Sequence, residues 1–353
     1  MDNIRHIDIL VIGAGPAGSM FGYLAGKAGL NCLVADFATF PREKICGGGL
    51  TPKAWRLLDS LMPGIKYDYL PVRHMHFQLD DSPSCEFESE HEIRMTNRKD
   101  FDYALLQYYL QAGGELLKEA FLRYELQKDG RILVTMKSGL QLTCNYLIAA
   151  DGSNSSVRRQ MFGKVPNQML FMEEYAPKQG PAEAFVYFSR RWVPGGFYKF
   201  SSLGHDIYGF RGPVTDREIF SQLLKEFNVP ETRFMGAFIS LHTVKSTVPN
   251  IILIGDAGGF ANKITGEGLY DAFKTAFNAV KAITEHKPFE KTNRQIFRKM
   301  EMQEKNSHFF FGPKGYKLLD FCMRHPRFTK WIFDAKMKRE TLMWKLKQRV
   351  SGN

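Results

Sequence analysis

The chain of 353 residues is 44% hydrophobic, which suffices for two domains with cores of ordinary size. Its formal net charge is +11, yet no nucleic-acid recognition motif accompanies that excess, and five scattered cysteines without a C-x-x-C pair argue against a disulfide framework or zinc site and for a reducing cytoplasm. No apolar run approaches the ~20 residues of a membrane-spanning helix and no secretory leader precedes the first strand, so the expectation is a soluble globular protein of the cytoplasm.

The apolar run Ile9-Leu10-Val11-Ile12 predicts a buried strand that ends in Gly13-Ala14-Gly15-Pro16-Ala17-Gly18, and a second run, Cys32-Leu33-Val34-Ala35, closes on Asp36. The spacing is that of a dinucleotide cradle. Gly13 permits the tight strand-to-helix turn, Gly15 lets the backbone approach a pyrophosphate, Gly18 lets the helix pack close on the strand, and Asp36 accepts hydrogen bonds from a ribose. A Gly-rich loop then reaches Lys53, and helical spacing over 54–61 stops at Pro63-Gly64. Alternation over 72–94 predicts strands. A helix over 99–112, closed by Gly113-Gly114, carries Arg98 at its mouth and leads to a strand near Ala120. Strands over 132–150 form a meander ending at Asp151; from 168 to 248 the spacing is mixed, with a strand at 184–188 and a helix over 217–226. Ile251-Ile252-Leu253-Ile254 predicts another buried strand, running into Gly255-Asp256-Ala257-Gly258-Gly259-Phe260, and Thr265-Gly266-Glu267-Gly268 opens an apolar-periodic helix.

Two distant segments, the first Gly-rich turn and Gly255-Asp256, thus close on one ligand. With Arg98 in Asn97-Arg98-Lys99-Asp100-Phe101-Asp102 and with Asp151-Gly152, this order resembles the FAD-binding oxidoreductases of the p-hydroxybenzoate hydroxylase fold. Within them the nearest resemblance is to geranylgeranyl reductases, carried by the run Pro41-Arg42-Glu43-Lys44-Ile45-Cys46-Gly47-Gly48-Gly49-Leu50-Thr51-Pro52-Lys53-Ala54 and by Asn262-Lys263-Ile264-Thr265-Gly266-Glu267-Gly268-Leu269-Tyr270. It covers most of residues 6–285. The implied architecture is α/β: a discontinuous Rossmann-type FAD domain (1–71, 95–165 and 249–285), an inserted mixed β-sheet substrate domain (72–94 and 166–248) and a C-terminal basic helical region (286–353). The resemblance places FAD contacts at Ala17, Asp36, Cys46, Gly47, Gly49, Arg98, Ala120, Asp256, Gly268 and Leu269. Gly266 and its neighbours should present backbone N–H groups to the pyrimidine end of the flavin, where a helix N-terminus stabilises negative charge.

Cys46 precedes three glycines, residues without Cβ atoms that let the backbone lie against a planar ring, so it is the candidate catalytic residue, as proton donor or positioning group. Glu267 is expected to cap a helix, and Lys44 and Lys53 to be solvated loop residues. His74 and His76 share a strand face without a third ligand, so no metal site is expected. The reaction implied is hydride transfer from reduced FAD to a C=C bond of a prenyl or other hydrophobic polyunsaturated substrate, with NAD(P)H or a protein as electron donor. One departure stands out: where the family carries Tyr-x-Trp-x-Phe-Pro-Lys after a Pro-Gly-Gly turn, this chain has Pro194-Gly195-Gly196 and then Phe197-Tyr198-Lys199-Phe200-Ser201-Ser202. An FAD-dependent monooxygenase of the same fold, and a flavin-bound protein without catalysis, are the competing readings; a halogenase is disfavoured because Trp-x-Trp-x-Ile-Pro is absent.

From Lys314 to Arg349 eleven basic residues stand against three acidic ones, interleaved with Phe309, Phe321, Phe328, Trp331 and Trp344. Two readings fit equally: amphipathic helices on an anionic membrane surface, at the inner face of the membrane, or a helical cap on the body with a solvated basic face.

Overall fold

The computed structural model of the chain describes residues 4–163, 168–192, 195–212, 217–232 and 234–350. In β1 (Arg5–Ile12), Ile9 and Val11 feed one core and Leu10 and Ile12 another, because successive strand side chains point to opposite faces. The chain turns through Gly13 into α1 (Pro16–Lys27) and returns as β2 (Cys32–Ala35), parallel to β1 with Ile9 opposite Cys32. Parallel strands need a crossover, and α1 supplies it.

β3 (Gly49–Leu50) and α2 (Pro52–Leu61) precede the antiparallel hairpin of β4 (Leu70–Leu79) and β5 (Cys85–Met95). α3 (Arg98–Gln111) starts at Asn97, whose side chain accepts the Lys99 N–H at 3.0 Å, an N-cap that fixes the helix start one residue before the predicted one. The three-residue β6 (Glu115–Leu117) joins β2 in parallel; it is too short to show a period. The meander follows as β7 (Phe121–Leu126), β8 (Ile132–Met136) and β9 (Gln141–Ala149), with β9 parallel to β1, then α4 (Ser156–Phe162). The middle of the chain supplies β10 (Gln168–Pro177), β11 (Glu183–Phe188), β12 (Gly196–Ser201), β13 (His205–Gly212), α5 (Arg217–Glu226) and β14 (Met235–Ser240). β15 (Ile251–Leu253) returns to the first sheet beside β9, a 3₁₀ turn spans Gly255–Gly258, and α6 (Leu269–Thr284), α7 (Phe289–Thr292), α8 (Arg294–Phe310), α9 (Pro313–Arg324) and α10 (Pro326–Val350) close the chain.

Among the described residues these strands make two sheets, one in the order β6-β2-β1-β9-β8-β7 with β15 on β9, the other β14-β10-β13-β12-β11-β4-β5-β3. The first packs α1, α3 and α6 on one face through Phe21, Phe101 and Phe273, and Phe121, Ile132, Val134 and Val157 on the other. The second buries Phe185, Phe197 and Phe210 against α5, with Phe197 stacked on Phe227 at 4.8 Å. Each such side chain contributes roughly 1.5–3 kcal/mol by leaving water. Its opposite face carries Tyr198 and Ile207, which meet the loop before β3, and Phe171, which meets Gly266 in the loop before α6. β3 itself pairs with β5, so the Gly-rich loop runs straight into the second sheet.

The C-terminal helices cap β4 and β5. Tyr316 and Met323 join that core, Phe333 packs on Phe77 and Phe87, and Asp334 accepts the Ser89 hydroxyl at 2.7 Å. The outer face stays exposed, with Phe321, Phe328 and Trp331 in edge and stacked contacts beside Arg324 and Arg327. The side chains of 340–350, Trp344, Lys345 and Lys347 among them, lie outside the described residues, as does Pro194.

Candidate functional site

The cradle is built from close backbone contacts. Gly13 has φ +104°, a conformation that costs L side chains dearly, and a Cβ there would overlap the Ala150 carbonyl. A Cβ on Gly18 would strike the Gly13 carbonyl, so helix and turn touch as the spacing predicts. Gly15 faces open space apart from Arg42, whose Nη2 lies 3.4 Å from where its Cβ would be. No described side chain caps α1 at Gly15, which leaves the first-turn N–H groups, Ala17 and Gly18 among them, for an anion. Asp36 is buried at the end of β2, where Oδ2 accepts the Ala14 N–H at 2.7 Å and Oδ1 that of Ala38 at 2.8 Å. Its own N–H donates to Leu117 O at 3.0 Å, and Ala120 lies just past β6 at this edge, its carbonyl accepting the Lys137 N–H.

The second half of the site arrives from the far end of the chain. A Cβ on Gly255 would be 3.0 Å from that of Ala17, and one on Gly268 would be 3.0 Å from Asp256 Oδ1, so Asp256 stands at the start of α6, which has no side-chain cap among the described residues. The helix begins at Leu269, not at Thr265. Gly266 instead has φ +72° in a loop and donates its N–H to Asn262 O at 2.9 Å, because Asn262–Glu267 folds on itself and Arg211 holds the Lys263 and Ile264 carbonyls from outside. Glu267 caps nothing: it accepts the Thr51 hydroxyl at 2.5 Å and pairs with Lys53 at 2.9 Å. Burial pushes its carboxyl up, but Lys53 and Thr51 outweigh that and hold it below the usual range. Lys53 is therefore a buried tie between α2 and the loop before α6, not a solvated residue.

Cys46 is half-buried and lines a cavity of about 240 Å³ together with Lys44, Arg98, Tyr175, Ile207 and Met235. Arg98, 6% exposed, is clamped by Asp102 through Nε at 2.8 Å and Nη2 at 3.1 Å. Burial opposes its charge, but Asp102 first and then Cys46 hold the guanidinium protonated. Asp102 also draws Arg42 to 3.7 Å, so one buried carboxylate sets both arginines. Gly47 touches the second sheet: a Cβ there would be 2.6 Å from the Phe200 ring. Gly48, at φ +72°, hands its carbonyl to Thr96, and Gly49 starts β3. The alternation of β12 turns Tyr198 and Phe200 toward this loop and Phe197 toward α5, while Lys199, in the stretch after the Gly195-Gly196 turn, pairs with Glu183 at 2.8 Å.

Beneath the cavity, Glu173 accepts hydrogen bonds from Tyr198 at 2.7 Å and Tyr175 at 3.0 Å. Sequence reasoning passed over Glu173, Asp102 and Arg42. The signal for the first was a Glu173-Glu174 pair inside the apolar run of β10, which burial permits only with hydrogen-bond partners, here Tyr175, Tyr198 and Thr232. His74 and His76 are engaged by Glu86, Glu88 and Glu183 on the sheet surface.

The arrangement fits FAD: an uncapped helix start beside Arg42 for the pyrophosphate, a carboxylate at the end of β2 for the ribose, and Asp256 at the start of α6 for the remainder. The FAD binding domain family matches residues 6–176. A geranylgeranyl diphosphate reductase of Rhodobacter capsulatus is 29% identical over 293 residues, covering 75% of this chain and 72% of that protein. A menaquinone reductase of Mycolicibacterium smegmatis is 26% identical over 389 residues, covering 98% and 91%. The solved geranylgeranyl bacteriochlorophyll reductase-like protein of Thermoplasma acidophilum shares the fold, with a TM-score of 0.69 at 21% identity over 99% of this chain and 93% of that one.

Proposed function

We propose that this protein, an FAD-dependent oxidoreductase similar to the geranylgeranyl reductases, saturates C=C bonds of a prenyl or other hydrophobic polyunsaturated chain. The observation that carries this reading is the cavity of about 240 Å³ between the Cys46 loop and the second sheet, where Ile207, Met235 and Tyr175 stand opposite the polar Glu43, Lys44, Asn97 and Arg98. Bound reduced FAD supplies a hydride and its electron pair. Arg42 and the first turn of α1 would hold its pyrophosphate, Asp36 its ribose, and Asp256 with Gly268 and Leu269 its flavin end. Cys46 positions the substrate. Gly47 lets the loop lie against the Phe200 ring, where a Cβ would clash. The electron donor is NAD(P)H bound transiently or a protein carrier.

The exposed Phe321, Phe328 and Trp331 with Arg324, Arg327, Lys336, Lys338 and Arg339 suit an anionic lipid surface from which such a substrate would be drawn. No helix among the described residues is long and apolar enough to cross a membrane.

The test is anaerobic reduction of the FAD-loaded protein followed by addition of prenyl diphosphates, prenylated quinones or unsaturated prenyl lipids, with mass spectrometry of the products. A gain of two hydrogens supports the reading. Reduced flavin that stays reduced with every alkene, yet inserts oxygen into a product once air is admitted, replaces it with a monooxygenase.

A further inference from the structure

Glu173 is 1% exposed and stands two residues before Tyr175 on β10, so both side chains turn to the face that meets the Cys46 loop. The groups facing its carboxyl are Tyr175 on its own strand, Tyr198 on β12, the backbone N–H of Cys46, and Arg98 on α3, whose charge Asp102 holds. Tyr175 alone of the two β10 residues reaches the cavity wall, where His205 of β13 packs on its ring with centroids 5.2 Å apart and Glu43 and Lys44 line the same cavity. The result is a hydrogen-bonded line from the Tyr175 hydroxyl through the Glu173 carboxyl to the Tyr198 hydroxyl, whose first residue lines the cavity. A purely structural carboxylate has no need of a cavity-lining phenol as its ligand, and a phenylalanine at 175 would pack the same wall.

We infer that Tyr175 and Glu173 form the proton-delivering pair of this site, Tyr175 giving its hydroxyl proton to a substrate carbon and Glu173 restoring it. This rests on the alkene reduction proposed above. Saturation of one C=C bond takes a hydride at one carbon, with its electron pair, and a proton at the other. The Tyr175 O–H bond breaks as the new C–H bond forms, and the Glu173 O–H bond breaks as Tyr175 regains its proton. Neither side chain is oxidised or reduced. The carboxylate left on Glu173 keeps the Tyr198 hydroxyl and the Cys46 N–H, and water reprotonates it after the product leaves. Burial outweighs the hydrogen bonds to Glu173 and lifts its carboxyl above the usual range, while burial first and then the neighbouring Glu173 raise the Tyr175 phenol. Cys46 retains a positioning role, its backbone tied to the same carboxyl.

Two measurements test the pair. Infrared difference spectra of the protein without FAD, wild type against Glu173→Gln, should show an un-ionised carboxyl band at pH 7 that the variant lacks; no such difference overturns the proposal whatever the substrate is. In the FAD-loaded enzyme, stopped-flow oxidation of the reduced flavin by alkene should slow at least tenfold in Tyr175→Phe and in Glu173→Gln, with FAD affinity unchanged. Glu173→Asp should recover part of the rate, and the alkaline limb of the pH profile should move in Tyr175→Phe. A wild-type rate and pH profile in Tyr175→Phe, a variant lacking a single oxygen, overturns the proposal even if Glu173→Gln fails to fold. A wild-type enzyme that shows the band but reduces no alkene overturns the reduction itself, and this role with it.

Discussion

Replacing Asp102 by Asn keeps its shape and removes the charge that holds two arginines. Asp102 is fully buried, bonds Arg98 at 2.8 and 3.1 Å and stands 3.7 Å from Arg42, so the substitution strands a buried guanidinium without a counter-charge. Breaking a buried pair from one side costs about 3–5 kcal/mol. With a urea m-value near 3 kcal/mol/M for a chain of this class, the low end of that range moves the unfolding midpoint of the apoprotein down by about 1 M. The same change loosens the arginines at Gly15 and Cys46, and FAD should bind at least about tenfold more weakly, or about 1.4 kcal/mol. The double variant Arg98→Met/Asp102→Leu separates the two effects. Apolar replacement of a buried pair is often neutral, so stability should return to within about 1 kcal/mol of wild type while FAD binding stays weak. Urea titration and flavin fluorescence titration read both quantities. An unmoved midpoint in Asp102→Asn, or wild-type FAD affinity in the double variant, refutes the reasoning.

Cys46→Ser should retain FAD yet slow single-turnover oxidation of the reduced flavin by substrate at least about tenfold, roughly 1.4 kcal/mol of transition-state stabilisation; an unchanged rate would return Cys46 to a packing role. Glu183 is held down to about 2 by His76 first and by Lys199, against burial. A carboxyl lowered in the fold stabilises above its unfolded value of 4.5 and loses that contribution as pH falls toward 2, up to ~3 kcal/mol before solvent screening. Glu183→Gln should therefore flatten the acid limb of a stability-against-pH curve, and an acid limb as steep as wild type counts against the pairing. Vesicle co-sedimentation should require anionic lipid and fall with salt, and should weaken when Phe328 and Trp331 become Ser and Lys336, Lys338 and Arg339 become Gln. Equal binding to neutral vesicles, or none to either kind, leaves the C-terminal helices as a cap alone.

The cradle was legible in the sequence because its defining features are local, even though Ala150, just past β9, and Arg42 also press on it. A turn at positive φ, a helix pressed on its own strand and an acid at the next strand end all fall within residues 9–36, and glycine is nearly the only answer to the first two. The same holds for Gly255-Asp256, whose chemistry is readable from its own few residues. What brings Ala17 to Gly255 is the packing of α1 on α6, and what brings Asp256 to Gly268 is the packing of the 3₁₀ turn on the start of α6. The side chains that tune the site were hidden for the same reason. Glu267 finds Thr51 across 216 residues, Asp102 finds Arg42 across the cradle, and Glu173 finds Tyr198 from another strand. A charged residue read alone looks solvated, as Lys53 did; its burial depends on which partner the fold sets against it. Strand register decided the rest, since a shift of one residue along β12 would exchange Tyr198 for Lys199 beside Cys46, and register comes from cross-strand pairing with β11 and β13 rather than from any property of residues 196–201 themselves.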